Sequence, residues 1–137
     1  MKKTVLFLVL AVTFFAATSC TTVKDIPQDL SAPQLLQRGQ ACEDNGDYKN
    51  AEIYYLTTLE RYGEDTNTYI ETKYELGHLY MKKKNYSKAY EAFDEILEIY
   101  SYAMAGDLPG SYKKLAQIEI DKIPPAKLEE LQSNKPL

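Results

Sequence analysis

The chain begins with an apolar run and continues, after a polar stretch, as segments with helical spacing. Residues 5–17 contain a single polar side chain, and residues 21–31 show neither a helical nor a strand period. Beyond them, apolar and small residues recur at intervals of three and four, the spacing that lines one face of a helix. The pattern predicts an all-α domain over residues 32–122, followed by a short polar tail at 123–137.

Capping residues mark where the predicted helices begin and end. Ser31 and Gln34 form a capping-box pattern before a helix over residues 32–45. Asp47 is placed to cap a second helix, which Gly63 ends. The spacing therefore predicts a first pair of helices joined by a tight turn.

The plan of this pair returns 38 residues further along the chain. Thr68 and Glu71 form another capping-box pattern before a helix over residues 69–83, and a fourth helix follows it. The positions that share the offset are Gly39 with Gly77, Asp47 with Asn85, Tyr48 with Tyr86, Ala51 with Ala89, Tyr55 with Phe93, Leu59 with Leu97, Glu60 with Glu98 and Tyr62 with Tyr100. The chain therefore contains an internal repeat, and its helical pairs must stack to bury their apolar faces.

The small residues at matching positions have a packing role. In the second copy, Gly77 and Ala89 let the two helices of the pair approach closely. Phe93 follows Ala89 by four residues, so its ring lies on the same face and can fill the space between the helices. Ala51 and Tyr55 are the equivalents in the first copy.

These residues resemble the tetratricopeptide repeat family, whose pattern combines Leu-Gly-x2-Tyr with Gly-Asp-Tyr and Ala-x3-Phe. The matching segments are Leu76-Gly77-x2-Tyr80, Asn85-Tyr86 and Ala89-x3-Phe93 in the second copy, and Gly46-Asp47-Tyr48 and Ala51-x3-Tyr55 in the first. The sequence departs from the family at Arg38 and Lys73, and its repeat is about four residues longer than the usual length. The resemblance implies an α-α superhelix of two hairpins. An unrelated helical bundle and a β-rich fold remain as alternatives.

A fifth helix is predicted over residues 109–122, with Tyr112, Leu115 and Ala116 placed like the first helix of a third copy. Pro124 and Pro125 are expected to stop the chain before a partner helix forms, and residues 126–132 to add one or two polar turns. We therefore expect this helix to be a cap that covers the last apolar face of the array.

The N-terminal residues have the layout of a secretory signal. Two lysines precede an apolar run that is too short to span a bilayer, and small residues follow it. Residues 17–20, Ala-Thr-Ser-Cys, resemble a bacterial lipobox. The resemblance implies a signal peptide at 1–19, acyl chains such as palmitate on Cys20, and a flexible tether at 20–31 reaching at most roughly 36 Å. Secretion without lipidation is the alternative.

This arrangement predicts a lipid-anchored protein of the bacterial cell envelope. Thr21 follows the cysteine, where an aspartate would signal retention in the inner membrane of enteric bacteria. We therefore expect the outer membrane, with the protein facing the periplasm. An acylated Cys20 could not form a disulfide with Cys42, the only other cysteine.

Composition and charge exclude several functions. The 16 basic and 20 acidic residues give a net charge of -4, without the clustered basic face that a nucleic-acid binder requires. One histidine and two cysteines cannot form a structural zinc site. Neither His78 nor Cys42 stands in a nucleophile–base pattern, so we predict no enzymatic activity, no metal and no cofactor.

A protein-binding groove is the remaining candidate site. In the family that the chain resembles, the first helix of each pair lines a concave groove, and stripes with helical spacing occupy the same positions here. The predicted groove residues are Leu36, Gln40, Glu43, Tyr74, His78, Met81, Lys113, Gln117 and Ile120. Their mixture of rings, amides and apolar groups suits a peptide or helix of another envelope protein. The alternative is an accessory structural subunit of an outer-membrane protein assembly or solute-capture complex.

Overall fold

The computed structural model describes residues 22–104 and 106–134, and over these ranges it consists of helices without any strand. The helices are α1 (Ala32–Asp44), α2 (Tyr48–Tyr62), α3 (Thr66–Lys82), α4 (Tyr86–Tyr102), α5 (Gly110–Asp121) and α6 (Pro125–Ser133). The all-α prediction is confirmed, and the β-rich alternative is wrong for the described part. The predicted signal segment and Cys20 lie outside the described residues. No described helix combines the length and apolar character needed to cross a bilayer.

The helices stack in the order in which they occur in the chain. α1 packs against α2 and α3 against α4, while contacts of α2 with α3 and of α4 with α5 join the pairs. α3 also contacts α1 and α5, so α1, α3 and α5 lie side by side. This arrangement is the predicted superhelix of two hairpins followed by a further helix.

The packing predicted at the small residues is confirmed. A Cβ atom on Gly77 would lie 2.5 Å from Cε1 of Phe93, and one on Gly39 would lie 2.3 Å from Cε1 of Tyr55. Both rings are fully buried, as are Ala51 and Ala89. Each aromatic ring therefore fills the space that the glycine of its partner helix leaves open.

The turn between the paired helices is the same in both copies. Asp47 and Asn85 cap α2 and α4, since each side chain accepts a hydrogen bond from the backbone N–H three residues later. The residue before each cap is left-handed, with φ of 75° at Gly46 and 56° at Lys84. The second copy thus holds a lysine in a conformation that favours glycine.

The start of α3 differs from the prediction. Asp65 is its N-cap and accepts a hydrogen bond of 2.8 Å from the backbone N–H of Thr68. The predicted capping box of Thr68 and Glu71 is therefore wrong. The carboxylate of Asp65 satisfies one of the free N–H groups at the start of the helix, and α3 therefore begins at Thr66, three residues earlier than predicted.

The segment before α1 is packed against α2 instead of forming a free tether. The backbone N–H of Val23 donates to Oδ1 of Asn50 at 2.8 Å, and Arg61 donates to the carbonyl oxygens of Ile26 and Pro27. Leu30 is only 7% exposed, and Val23 and Ile26 pack beside it. The expectation of a flexible tether is corrected for residues 22–31, because apolar residues without a helical period can still dock as an extended segment.

The C-terminal residues form a sixth helix where a polar tail was predicted. Pro125 occupies the first turn of α6, where the missing N–H of proline costs nothing because that group has no partner within the helix. Ile123, before it, is 2% exposed, and Leu128 packs against the main core. The one or two turns expected over residues 126–132 are thus a nine-residue helix that begins at Pro125 itself. α6 packs against α4.

Candidate functional site

A buried carboxylate links the first three helices on the side where α1 and α3 meet. Glu43 is 5% exposed and accepts a hydrogen bond of 2.9 Å from the hydroxyl of Tyr55. Nδ1 of His78 and Nζ of Lys82 each lie 3.0 Å from its Oε1 atom. The carboxylate only accepts, so His78 donates from Nδ1. Residues of α1, α2 and α3 are thereby joined at one point.

The contact between Glu43 and His78 shifts the pKa values of both side chains. Burial raises the pKa of the Glu43 carboxyl, but hydrogen bonds from His78, Lys82 and Tyr55 outweigh it, so the pKa lies below its ordinary value. The hydrogen bond to Glu43 raises the pKa of His78, against the opposing effects of burial and of Lys82. A charged imidazole is therefore favoured here.

A second link between α1 and α3 involves a neutral donor. The side-chain amide of Gln40 donates to Oε1 of Glu75 at 2.9 Å. Burial raises the pKa of Glu75, and the negative charge of Glu43 raises it further. Within residues 22–104 and 106–134, no basic group forms an ion pair with Glu75. Glu75 therefore has no ion-pair partner in this part of the chain, although the nearby His78 acts to lower its pKa.

Aromatic rings continue the site from α3 to α5. The ring of Tyr74 stacks on His78 with centroids 6.4 Å apart, and it meets the ring of Tyr112 at 5.6 Å. Burial, together with the nearby carboxylates of Glu71 and Glu75, raises the pKa of Tyr112 to about 12. Both tyrosines are half-buried, so part of each ring is accessible, and burial raises the pKa of each hydroxyl, which keeps it neutral at physiological pH.

We call this surface the α1–α3–α5 face. It is defined by Gln40, Glu43, Tyr74, Glu75, His78 and Tyr112. Four of these are predicted groove residues, whereas Glu75 and Tyr112 were missed. Glu75 stands three residues before His78 on α3, but its bond to Gln40 and the contact of Tyr112 with Tyr74 join different helices, which spacing within one helix does not show.

The remaining predicted groove residues lie elsewhere. Leu36 and Ile120 belong to the hydrophobic core, and Met81 is half-buried against it. Lys113 and Gln117 are exposed beside Leu97 of α4, away from α3. α5 is turned so that Tyr112 faces α3, and the predicted stripe on this helix is therefore out of phase with the face.

The described residues offer little for metal or thiol chemistry. Over residues 22–104 and 106–134, no three His, Cys, Asp or Glu side chains are grouped so that they could hold a metal ion. The thiol of Cys42 is half-buried, and burial followed by the charge of Asp47 raises its pKa. A raised pKa leaves little thiolate, which is the reactive form.

Comparison with known proteins identifies the repeats. Two family models, both described as tetratricopeptide repeat, match residues 35–64 and 70–108. An uncharacterized protein of Treponema pallidum (strain Nichols) is 31% identical over 111 residues, which make up 81% of this chain and 44% of that protein. The chain thus spans less than half the length of this relative. No solved structure gives a significant match.

Proposed function

The chain belongs to the tetratricopeptide repeat family, and we propose that it binds a segment of another protein on the α1–α3–α5 face. Both matched repeats contribute to this face, α1 from the first and α3 from the second. Repeats of this family are typically interaction modules without catalytic activity, and neither match indicates an enzyme family. The function proposed is therefore binding alone.

The ring cluster of Tyr74, His78 and Tyr112 is the observation that carries this proposal. Tyrosine is enriched at the centres of protein interfaces, because its ring offers a large contact area with few rotatable bonds. The rings are held by contacts between α3 and α5, so little order is lost when a ligand binds. A short peptide or helix with an apolar residue fits such a surface.

Glu75 adds a charge preference to the face. Its carboxylate is half-buried and accepts a hydrogen bond from the neutral amide of Gln40, and no ion pair among the described residues holds it, so a basic residue of the ligand would be attracted to it. We therefore propose a partner segment that combines an apolar side chain with a lysine or arginine.

Photo-crosslinking in intact cells tests the binding face. A photoreactive residue at Tyr74 or Gln40 should capture the same partner, while one at Leu56, an exposed leucine of α2, should not. Changing Glu75 to glutamine should weaken the crosslink. Equal capture from Leu56, or no capture from either groove position, would contradict the proposal. Recovery of a stable complex after detergent solubilisation would favour the structural-subunit alternative.

We also propose that Cys20 carries lipid and holds the module at the membrane of a bacterial cell envelope, facing the periplasm. The support is the sequence pattern alone: an apolar run followed by Ala-Thr-Ser-Cys. In cells grown with a palmitate analogue, the protein should carry the label and should be found in the membrane fraction. Changing Cys20 to alanine should remove the label, and a label that persists would refute lipidation at this residue.

A further inference from the structure

Exposed apolar side chains concentrate at one end of the described chain. The large apolar residues that the structure leaves exposed are Leu56, Tyr102, Met104, Leu115 and Ile118. Four of these five lie between residues 102 and 118, at the end of α4, in the segment between α4 and α5, and on α5 itself. This end of the array is therefore not covered in the way expected of a capping helix.

The apolar surface on α5 is a narrow stripe. Leu115 is 37% exposed and Ile118 is 40% exposed, and their separation of three residues places them on one helix face. α6 follows α5 in the chain but packs against α4, so it leaves this stripe open. We call the surface formed by Lys114, Leu115, Ile118 and Asp121 the α5 stripe.

Two opposite charges border the stripe on the same flank. Lys114 and Asp121 are seven residues apart, about two helical turns, so they lie nearly above one another. Asp121 accepts a hydrogen bond of 2.9 Å from the amide of Gln117 in its own helix. Across the described residues, neither Lys114 nor Asp121 takes part in an ion pair.

We propose that the α5 stripe binds the α5 stripe of a second copy of this chain, forming a two-fold symmetric dimer with the two helices antiparallel. In such a pair, two facing residues lie equally far from the point where the helices cross. One precedes that point in its own sequence and the other follows it. A crossing between Gln117 and Ile118 places Lys114 opposite Asp121 of the second copy, and symmetry forms this ion pair twice. Leu115 and Ile118 of both copies then cover one another between the charges.

The order of charges favours a second copy over an unrelated helix. Both members of the ion pair are present on the same flank of the stripe, so one antiparallel crossing pairs each of them with its opposite on the second copy. A two-fold contact of this kind also stops at the dimer. Both stripes are buried in it, so no further copy can add to form a filament.

Sedimentation equilibrium of the full chain in density-matched detergent tests the dimer. We expect a reversible monomer–dimer equilibrium. Changing Lys114 to glutamate, or Asp121 to lysine, replaces two attractions by two repulsions and should raise the dissociation constant about tenfold or more. The double variant K114E/D121K restores opposite charges and should return the dissociation constant towards its original value.

A second pair of variants separates the stripe from other apolar surface. Ile118→Glu should leave the chain monomeric, whereas Leu56→Glu, which changes the exposed leucine on α2, should not alter the equilibrium. Circular dichroism should show equal helix content in all variants. A chain that stays monomeric, single charge variants that associate unchanged, or a double variant that fails to recover would each overturn the proposal.

Discussion

Close packing between Gly77 and Phe93 fixes the second helical pair, and a single methyl group should disturb it. In Gly77→Ala the new Cβ atom would lie 2.5 Å from the ring of Phe93, which is fully buried and cannot move away. We expect a loss of about 1–3 kcal/mol in the free energy of unfolding, measured by urea denaturation. Gly110→Ala is the control, because nothing lies within 4 Å of its Cβ position. Equal effects at both glycines would contradict this packing.

His78 should make stability depend on pH near neutrality. The hydrogen bond to Glu43 raises its folded-state pKa above the ordinary value of 6.5, so the contact stabilises the fold fully below that value. The contribution is then lost as pH rises through the folded-state pKa. Lys82, Glu75 and Glu119 are the other charged groups near the ring.

The test compares the starting chain with His78→Gln. The difference between their free energies of unfolding should be larger near about pH 5.5 than near about pH 8. Gln37→Ala, a change at an exposed position of α1 that cannot titrate, should give a difference that does not vary with pH. A difference for His78 that grows with rising pH would show the opposite linkage.

Sequence reasoning reached some of these residues and not others, for a physical reason. Tyr55 and Phe93 were predicted as core rings because they follow an alanine by one helical turn, which is a local relation. The burial of Glu43 was not predicted, since carboxylates are usually exposed. Its donors come from α2 and α3, and only the folded chain brings them together.

At the scale of elements, the segment before α1 behaves as part of the fold. Leu30 belongs to this segment and is buried in a cluster with Leu35 and Tyr54. Leu30→Ala should therefore cost about 2 kcal/mol or more in the free energy of unfolding. Gln28→Ala, at an exposed position two residues earlier, should change it by less than about 0.5 kcal/mol. Denaturant titration measures both. A neutral effect of Leu30→Ala would indicate that the segment does not pack in solution.

The helices themselves were largely predictable, and their ends less so. α1 and α2 follow the predicted bounds within one or two residues, because Ser31, Asp47 and Gly63 are strong local signals. α3 begins earlier because Asp65 competes with Thr68 as the cap. α6 is longer than the one or two turns expected over residues 126–132, because a proline can begin a helix as well as end one.

At the scale of the whole molecule, one hydrophobic core runs from α1 to α5. The described chain should therefore unfold in a single transition. Two repeats and an incompletely covered end give less buried surface than the three or more repeats that such arrays usually need. We expect a melting temperature clearly below about 90 °C, the hyperstable range, and an increase when the partner is added. Calorimetry measures both, and a hyperstable chain without partner would contradict partner-dependent stability.

The docking of Val23 on Asn50 also decides how far the module could stand from a lipid bilayer. If Cys20 is acylated, it lies only three residues before Val23, the first described residue bonded to the helices. A linker of this length spans about 10 Å when fully extended. The repeats would then rest close to the headgroups, with their N-terminal end always nearest the bilayer. A partner would have to bind the protein close to the bilayer surface. The short linker would therefore favour partner segments near the membrane over segments that lie far from it.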